Sequence, residues 1–239
     1  MEKLCKINAG TPHCTASVRR AAPRMTYNRR MPAPEVLDSL IKVADDALRT
    51  LFAPAHTARQ LSLPADGAMT EAEKRHAAGL MRVNHAGEIA AQGLYRGQSL
   101  LSRNSSTRSF MRRAASEEGD HLAWCEDRLR ELDSRPSLLN PLWYLGSLAM
   151  GAAAAALGDE LSLGFVTETE RQVEGHLASH LDRLPAGDQR SRQIVTQMKA
   201  DEAAHAQAAR SAGASELPPP LPTLMRYAAR VMTGSSYWL

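Results

Sequence analysis

The sequence is poor in aromatic residues and lacks the patterns that usually mark β-sheets or structural zinc sites. Phe, Trp and Tyr make up 5% of the 239 residues, and no run of alternating β-branched residues indicates a strand. The cysteines, Cys5, Cys14 and Cys125, lack metal-site spacing and do not require an oxidising compartment. Ala, Leu, Arg and Glu are abundant, and these residues favour helices. Together with the absences, this composition predicts an all-α protein.

The formal charge of +3 is unevenly distributed along the chain. Residues 1–30 contain seven basic residues and one acidic residue, a net of +6, which leaves −3 for residues 31–239. A mildly acidic folded part argues against nucleic acid as a partner. We expect residues 1–33 to be a basic tail, disordered or artefactual, ahead of one domain at 34–239. A targeting peptide and a basic arm on anionic lipid are the alternatives.

Apolar residues recur at helical spacing in several segments. A first amphipathic helix is predicted from Pro34 to Phe52, and a second follows Thr70, where TEAE matches a capping box, and runs to about Leu101. Further helices are predicted at about 107–132 and 191–212, with a short amphipathic piece at 224–232. The class is therefore all-α, with peripheral helices at both ends.

Residues 136–158 contain no charged side chain. The stretch from Leu142 to Leu157 is apolar on every side, but its 16 residues are fewer than the roughly 20 that span a bilayer. We expect a helix buried in a bundle; a helix that enters one leaflet or lines an apolar channel, and a membrane span, are the alternatives. The same helix is expected to continue through residues 159–184.

Two short motifs place a Glu and a His three residues apart. Glu118 and His121 lie in EEGDH, and Glu202 and His205 lie in DEAAH, 84 residues later. Residues i and i+3 share one face of a helix, so each pair can converge on one point. The repetition indicates an internal duplication of a helix pair.

Each motif follows a Glu on an earlier helix. Glu88 lies 30 residues before Glu118, and Glu170 lies 32 residues before Glu202. Spacing alone does not choose among Glu168, Glu170 and Glu174 for the third helix.

Buried together, four carboxylates require cations, because an uncompensated buried charge costs several kcal/mol. One Glu from each of two helices and Glu-x-x-His from each of two others match the ligand set of ferritin-like di-metal bundles. Carboxylates with imidazole and no thiolate suit iron or manganese better than structural zinc. We expect Glu118 and Glu202 to bridge two ions, with Glu88 and Glu170 as terminal ligands.

Further polar residues are candidates for orienting the two histidines. Asp201 and Glu117 each precede a predicted ligand Glu. His85 lies one turn before Glu88, where it either bonds near the site or has an ordinary core partner. Structural roles are expected for His176, His180 and Tyr95.

Four segments resemble the bacterial 3-demethoxyubiquinol 3-hydroxylase family, the di-iron quinone hydroxylases of ubiquinone biosynthesis. They are LMRVNHAGEIAAQGLYRGQ, EEGDHLAWCEDRLRELDSRPSLLNPLWY, LGFVTETERQVEGHL and RSRQIVTQMKADEAAH, within a resemblance that covers about residues 35–239. The resemblance implies two iron ions with ligands Glu88, Glu118, His121, Glu170, Glu202 and His205.

The same resemblance implies a peripheral membrane monooxygenase at the cytoplasmic face of the bacterial cell membrane. Its substrates are expected to be O2 and a demethoxylated polyprenyl quinol, and other ubiquinone-biosynthesis proteins are expected partners. No nicotinamide or flavin fingerprint is present in the sequence, so electrons are expected from outside the chain or through the bound quinone. The alternative function is ferritin-like iron handling without hydroxylase activity.

Overall fold

The computed structural model describes the backbone of residues 33–239 and the side chains of residue 38 and residues 41–239. This range contains helices and no strand, which confirms the all-α class. The helices are α1 (Ala33–Phe52), α2 (Glu71–Leu101), α3 (Ser105–Glu131), α4 (Asn140–Leu157), α5 (Asp159–Arg183), α6 (Gln189–Ser211) and α7 (Pro220–Ser236). The predicted basic tail, apart from its last residue, lies outside the described residues.

Four of the helices form a bundle around a common core. Helix α2 packs along α3, and α5 packs along α6, so the bundle consists of the two predicted helix pairs. One core cluster takes Leu80 from α2, Leu129 from α3, Leu177 from α5 and Met198 from α6, all fully or almost fully buried. The predicted four-helix bundle is confirmed, with α1 and α7 at its periphery.

Side-chain caps fix where the first two bundle helices begin. The Thr70 hydroxyl accepts the Glu73 backbone N–H at 3.2 Å, and the Glu73 carboxylate accepts the Thr70 backbone N–H at 2.7 Å. This is the capping box predicted from TEAE, and it satisfies two donors that a helix end leaves free. Helix α3 begins slightly earlier than predicted because the Asn104 side chain accepts the Ser106 N–H at 2.9 Å.

The predicted continuous helix from Leu142 to about residue 184 is wrong, because the chain breaks at Gly158. This residue separates α4 from α5 and has a φ of +129°. Residues with a side chain rarely adopt that conformation, so a glycine there ends α4 at a defined point. The break allows α4 to lie against α2 while α5 enters the bundle.

Helix α4 meets α2 at backbone distance. A methyl group at Gly97 would overlap the carbonyl oxygen of Leu148, and one at Gly151 would overlap that of Leu94. The opposite side of α4 is open, with Leu142 and Leu145 58% and 56% exposed. The expected burial is therefore confined to one face. Across residues 33–239, no helix combines the length and apolarity needed to cross a membrane.

We predict that Gly97→Ala destabilises the fold, because the new methyl group has no room against α4. Overpacking of this kind costs about 1–3 kcal/mol, which urea unfolding at equilibrium will measure. Gly87→Ala is the matched control in the same helix, because a Cβ there meets nothing within 4 Å. The control should be neutral or stabilising. Equal stability of the two variants would contradict the proposed close contact.

Candidate metal centre

Six acidic and imidazole side chains from all four bundle helices meet inside the bundle. They are Glu88 from α2, Glu118 and His121 from α3, Glu170 from α5, and Glu202 and His205 from α6. The four carboxylates and His121 are at most 3% exposed, and the His205 side chain is 14% exposed. The structure thus brings together every residue that the sequence singled out as a metal ligand.

The six residues fall into two overlapping groups. One consists of Glu88, Glu118, His121 and Glu202, and the other of Glu118, Glu170, Glu202 and His205. Within each group, one ligand atom from every residue lies within 4.8 Å of the others. Glu118 and Glu202 belong to both groups. Two metal ions, one in each group, would therefore share these two carboxylates.

Both imidazoles direct Nδ1 toward the shared carboxylates. The Nδ1 atom of His121 lies 2.8 Å from Glu118 Oε2, and Nδ1 of His205 lies 2.8 Å from Glu118 Oε1. Glu202 is close to the same two nitrogens, at 3.3 Å from His121 Nδ1 and 3.6 Å from His205 Nδ1. The i, i+3 spacing on α3 and on α6 produces this convergence.

The other ring nitrogens point away from the cluster to two further carboxylates. Nε2 of His121 lies 3.0 Å from Asp201 Oδ2, and Nε2 of His205 lies 3.1 Å from Glu117 Oε2. The acidic residue before the shared Glu on one helix therefore contacts the histidine of the other helix. The Asp201 side chain is 17% exposed and that of Glu117 is 60% exposed, so the Asp201 contact is better shielded from water.

A loop residue that no sequence pattern indicated supports Asp201. Arg59, between α1 and α2, forms an ion pair with Asp201, and its guanidinium lies 4.7 Å from the centre of the Trp124 ring. The Trp124 indole N–H donates to the Arg59 carbonyl at 2.9 Å, and Asp120 accepts the Ala58 N–H at 2.7 Å. Contacts with α3 thus hold in place the loop whose Arg59 pairs with Asp201.

The geometry separates the three carboxylates proposed for the third helix. Glu170 belongs to the cluster, whereas Glu168 pairs with Arg171 at 2.7 Å and Glu174 is half-buried outside both groups. Helix α5 therefore turns only the middle one of these residues toward the bundle axis.

His85 contacts α4 rather than the cluster. Its Nδ1 atom lies 3.3 Å from the Asn140 side-chain nitrogen, which donates to it. Burial lowers the pKa of His85 to about 4, so the ring is neutral at physiological pH. Of the two alternatives for His85, the structure therefore favours an ordinary core partner.

His176 and His180 also lie outside both groups. Their ring centroids are 4.0 Å apart, and both rings line a cavity of about 500 Å³ between α2, α5 and α7. Burial lowers the pKa of His176 to about 4 and that of His180 to about 2. Tyr95 is fully buried among apolar side chains.

Without a cation, the cluster carries polar groups that protein atoms do not satisfy. Nδ1 of both histidines, both oxygens of Glu118 and one oxygen of Glu202 make no well-formed hydrogen bond to any described residue, despite the short distances. Burial, together with neighbouring carboxylates, raises the pKa of Glu88 and of Glu170 well above the ordinary value. Such a set of inward-facing donor atoms fits a pair of divalent cations.

The protonation of the imidazoles shows the same unbalanced charge. Burial lowers the pKa of His205, but Glu118 and Glu202 outweigh it and raise the value to about 11. Asp201, Glu118 and Glu202 likewise outweigh burial at His121 and raise its pKa well above 6.5. In the metal-free bundle, protons on the two histidines thus balance part of the carboxylate charge that metal cations would otherwise balance.

Known proteins are similar to this chain over most of its length. Residues 75–236, which contain all six clustered residues, match the family model described as Ubiquinone biosynthesis protein COQ7. A protein of Chromobacterium violaceum named 3-demethoxyubiquinol 3-hydroxylase is 57% identical over 204 residues, or 84% of this chain and 99% of that protein. Proteins of the same name are 56% identical in Burkholderia multivorans (85% of this chain, 100% of that protein) and 55% identical in Cupriavidus pinatubonensis (84% and 99%). This chain therefore belongs to the COQ7 family of ubiquinone biosynthesis proteins.

Proposed function

We propose that this chain is a di-iron monooxygenase that hydroxylates the ring of a demethoxylated ubiquinol precursor. The observation that carries the proposal is the pair of overlapping Glu and His groups, which share Glu118 and Glu202 inside one bundle. Relatives at 55–57% identity are named 3-demethoxyubiquinol 3-hydroxylase. Those names do not favour the alternative of iron handling without hydroxylase activity.

The ligand roles follow from the membership of the two groups. We assign Glu88 and His121 to one iron ion, Glu170 and His205 to the other, and Glu118 and Glu202 to both. Two divalent ions would balance the four carboxylates, which removes the main cost of burying them. Carboxylate and imidazole ligands without thiolate favour iron over structural zinc.

The side chains around the cluster prepare it for this chemistry. Iron bound there supplies the reduction of O2, in which one oxygen atom enters the ring and the other becomes water, using two external electrons and two protons. Asp201 accepts the Nε2–H of His121 and so keeps the Nδ1 lone pair directed inward. His121 and Arg59 together hold Asp201 ionised in that position. Glu88 and Glu170 are almost completely buried, so bulk water does not reach this part of the cluster.

We further propose that the chain works at the cytoplasmic face of the bacterial cell membrane, where a polyprenyl quinol resides. Helix α4 exposes Leu142 and Leu145, and helix α7 exposes Leu224 and Val231, each by more than half. Helices with an apolar face of this kind bind the headgroup boundary of a bilayer without crossing it. Other ubiquinone-biosynthesis proteins are proposed partners at the same surface.

We predict that the bridging and terminal ligands differ in how much iron their loss releases. Glu118→Ala should reduce bound iron from two ions to fewer than one, because both groups lose a ligand. Glu170→Ala should retain about one ion, in the group that contains Glu88. Iron per chain, measured by elemental analysis after gel filtration, checks both values.

Glu174→Ala is the matched control on α5, because Glu174 lies one turn beyond Glu170 and outside both groups. It should keep the full iron content. The bridging assignment fails if Glu118→Ala and Glu170→Ala retain equal amounts of iron.

We predict that Asp201→Asn weakens iron binding by about 10–100-fold, the usual effect of losing a carboxylate that orients a metal-bound histidine. Glu117→Gln should have a smaller effect, because water already reaches the Glu117 side chain, which is 60% exposed. Competition with a chelator of known affinity measures both constants. Equal losses of iron affinity in the two variants would show that the shielding of Asp201 from water does not contribute to metal binding.

We predict that Glu118→Ala abolishes hydroxylation. In a bacterial strain that lacks its own enzyme, wild type and Glu174→Ala should restore ubiquinone, whereas Glu118→Ala should leave the demethoxylated precursor to accumulate. Quinones extracted from the cells and separated by chromatography give the result. Normal ubiquinone levels with Glu118→Ala would show that the proposed catalytic centre is wrong.

A further inference from the structure

A second set of charged side chains lines a cleft on the outside of the bundle. The cleft has a volume of about 610 Å³ and lies between α1, α2 and α3. Its charged lining residues are the cations Lys42, Arg96, Arg108 and Arg112 and the acids Asp45 and Asp46. None of them belongs to the candidate metal centre.

The two acidic residues are already paired with arginines, one of them the cleft residue Arg96. Asp46 forms an ion pair with Arg96, and Asp45 pairs with Arg49 at 2.7 Å. In contrast, Lys42, Arg108 and Arg112 form no ion pair with any residue of the range 33–239 for which side chains are described. The cleft therefore has an excess of positive charge that protein carboxylates do not balance.

Two arginines of α3 line the cleft one helical turn apart. Arg108 and Arg112 are four residues apart, so their side chains lie on the same helix face, where like charges repel each other. Arg108 uses one guanidinium N–H for the Ser102 carbonyl at 2.6 Å and retains others. Ser116 adds a hydroxyl donor to the lining. Several donors around one cationic cleft suit the oxygens of a phosphate group.

Exposed apolar residues lie on helices that form the cleft. Leu100, which lines it, is 38% exposed at the end of α2, and Ile41 and Leu48 on α1 are 57% and 60% exposed. Helix α1 also contacts α4, whose exposed leucines belong to the proposed membrane face. A phosphate beside an apolar surface is the chemistry of a phospholipid at the headgroup boundary.

We propose that this cleft binds the phosphate of an anionic phospholipid headgroup, with Arg108 and Arg112 as its main contacts. The inference rests on the proposed location at the membrane and adds the site that orients the bundle there. Ala115 and Ser116 line the cleft within one turn of Glu118. Arg96 donates to Gln92 at 3.2 Å, and Gln92 lies one turn after Glu88. A bound headgroup would thus fix how far the metal centre lies from the bilayer.

The test compares two neighbouring arginines of α3. Arg112→Gln removes a lining residue, and Arg113→Gln makes the same charge change at an exposed residue that does not line the cleft. Flotation of the iron-loaded full chain with phosphatidylcholine vesicles, with and without phosphatidylglycerol, gives the partition coefficient. A basic residue near an anionic surface contributes about fivefold wherever it lies. The partition coefficient of Arg113→Gln should fall by no more than that factor. The partition coefficient of Arg112→Gln should fall clearly further, and only when phosphatidylglycerol is present.

The possible outcomes separate this inference from the proposed function. Equal losses of vesicle binding in the two variants would show that the protein is attracted by its general surface charge, and would overturn the cleft assignment. Thermal stabilisation of wild type but not Arg112→Gln by millimolar glycerol 1-phosphate, with vesicle binding independent of Arg112, would identify a soluble phosphate ester as the ligand and overturn the lipid assignment. No vesicle binding by wild type would contradict the membrane location itself. Arg112→Gln should keep its iron and its activity on a short-tailed quinol, so loss of either would point to the metal centre.

Discussion

The burial of four carboxylates at one point of a helical bundle is the constraint on which the rest of the structure depends. Glu88, Glu118, Glu170 and Glu202 are at most 3% exposed, and each ionised carboxylate removed from water costs several kcal/mol unless it is compensated. Two imidazolium groups compensate only half of four negative charges, and burial together with the neighbouring carboxylates raises the pKa of Glu88 and of Glu170. Two divalent cations remove the imbalance, so folding of the bundle and metal binding are thermodynamically linked.

The cluster is nearly symmetric in its ligands but not in its surroundings. On one side, His121 is 1% exposed, and Asp201, Arg59 and the Trp124 ring form a shielded chain of contacts behind it. On the other side, His205 is 14% exposed and its partner Glu117 is largely in water. A shielded hydrogen bond restricts an imidazole more than an exposed one, because water competes less for the donor. The two halves of the cluster therefore differ in rigidity, and the side of His205 is the more accessible one.

Sequence periodicity predicted the structural features that depend on local chemistry. It did not predict those that depend on contacts between residues distant in the chain. The capping box at Thr70 is a local pattern that the structure confirms. The two Glu-x-x-His pairs are also local patterns, and the structure brings their residues together. Spacing alone did not select Glu170 over Glu168 and Glu174, because that choice depends on the rotation of α5 in the bundle. The break at Gly158 was missed because helix-forming residues continue on both sides of it. Arg59 was missed because its partners, Asp201 and Trp124, are far along the chain.

Helix α4 connects the two requirements placed on this chain, a rigid metal centre and access to an apolar substrate. Reciprocal close contacts at Gly97 and Gly151 hold it against α2, the helix that carries Glu88. Backbone contact of this kind leaves no room for sliding, so α2 is fixed from outside the bundle as well as from within. The same close approach turns Leu142 and Leu145 outward. A helix that does not combine the length and apolarity needed to cross a membrane thus stabilises the ligand-bearing helix with one face and exposes apolar side chains on the other.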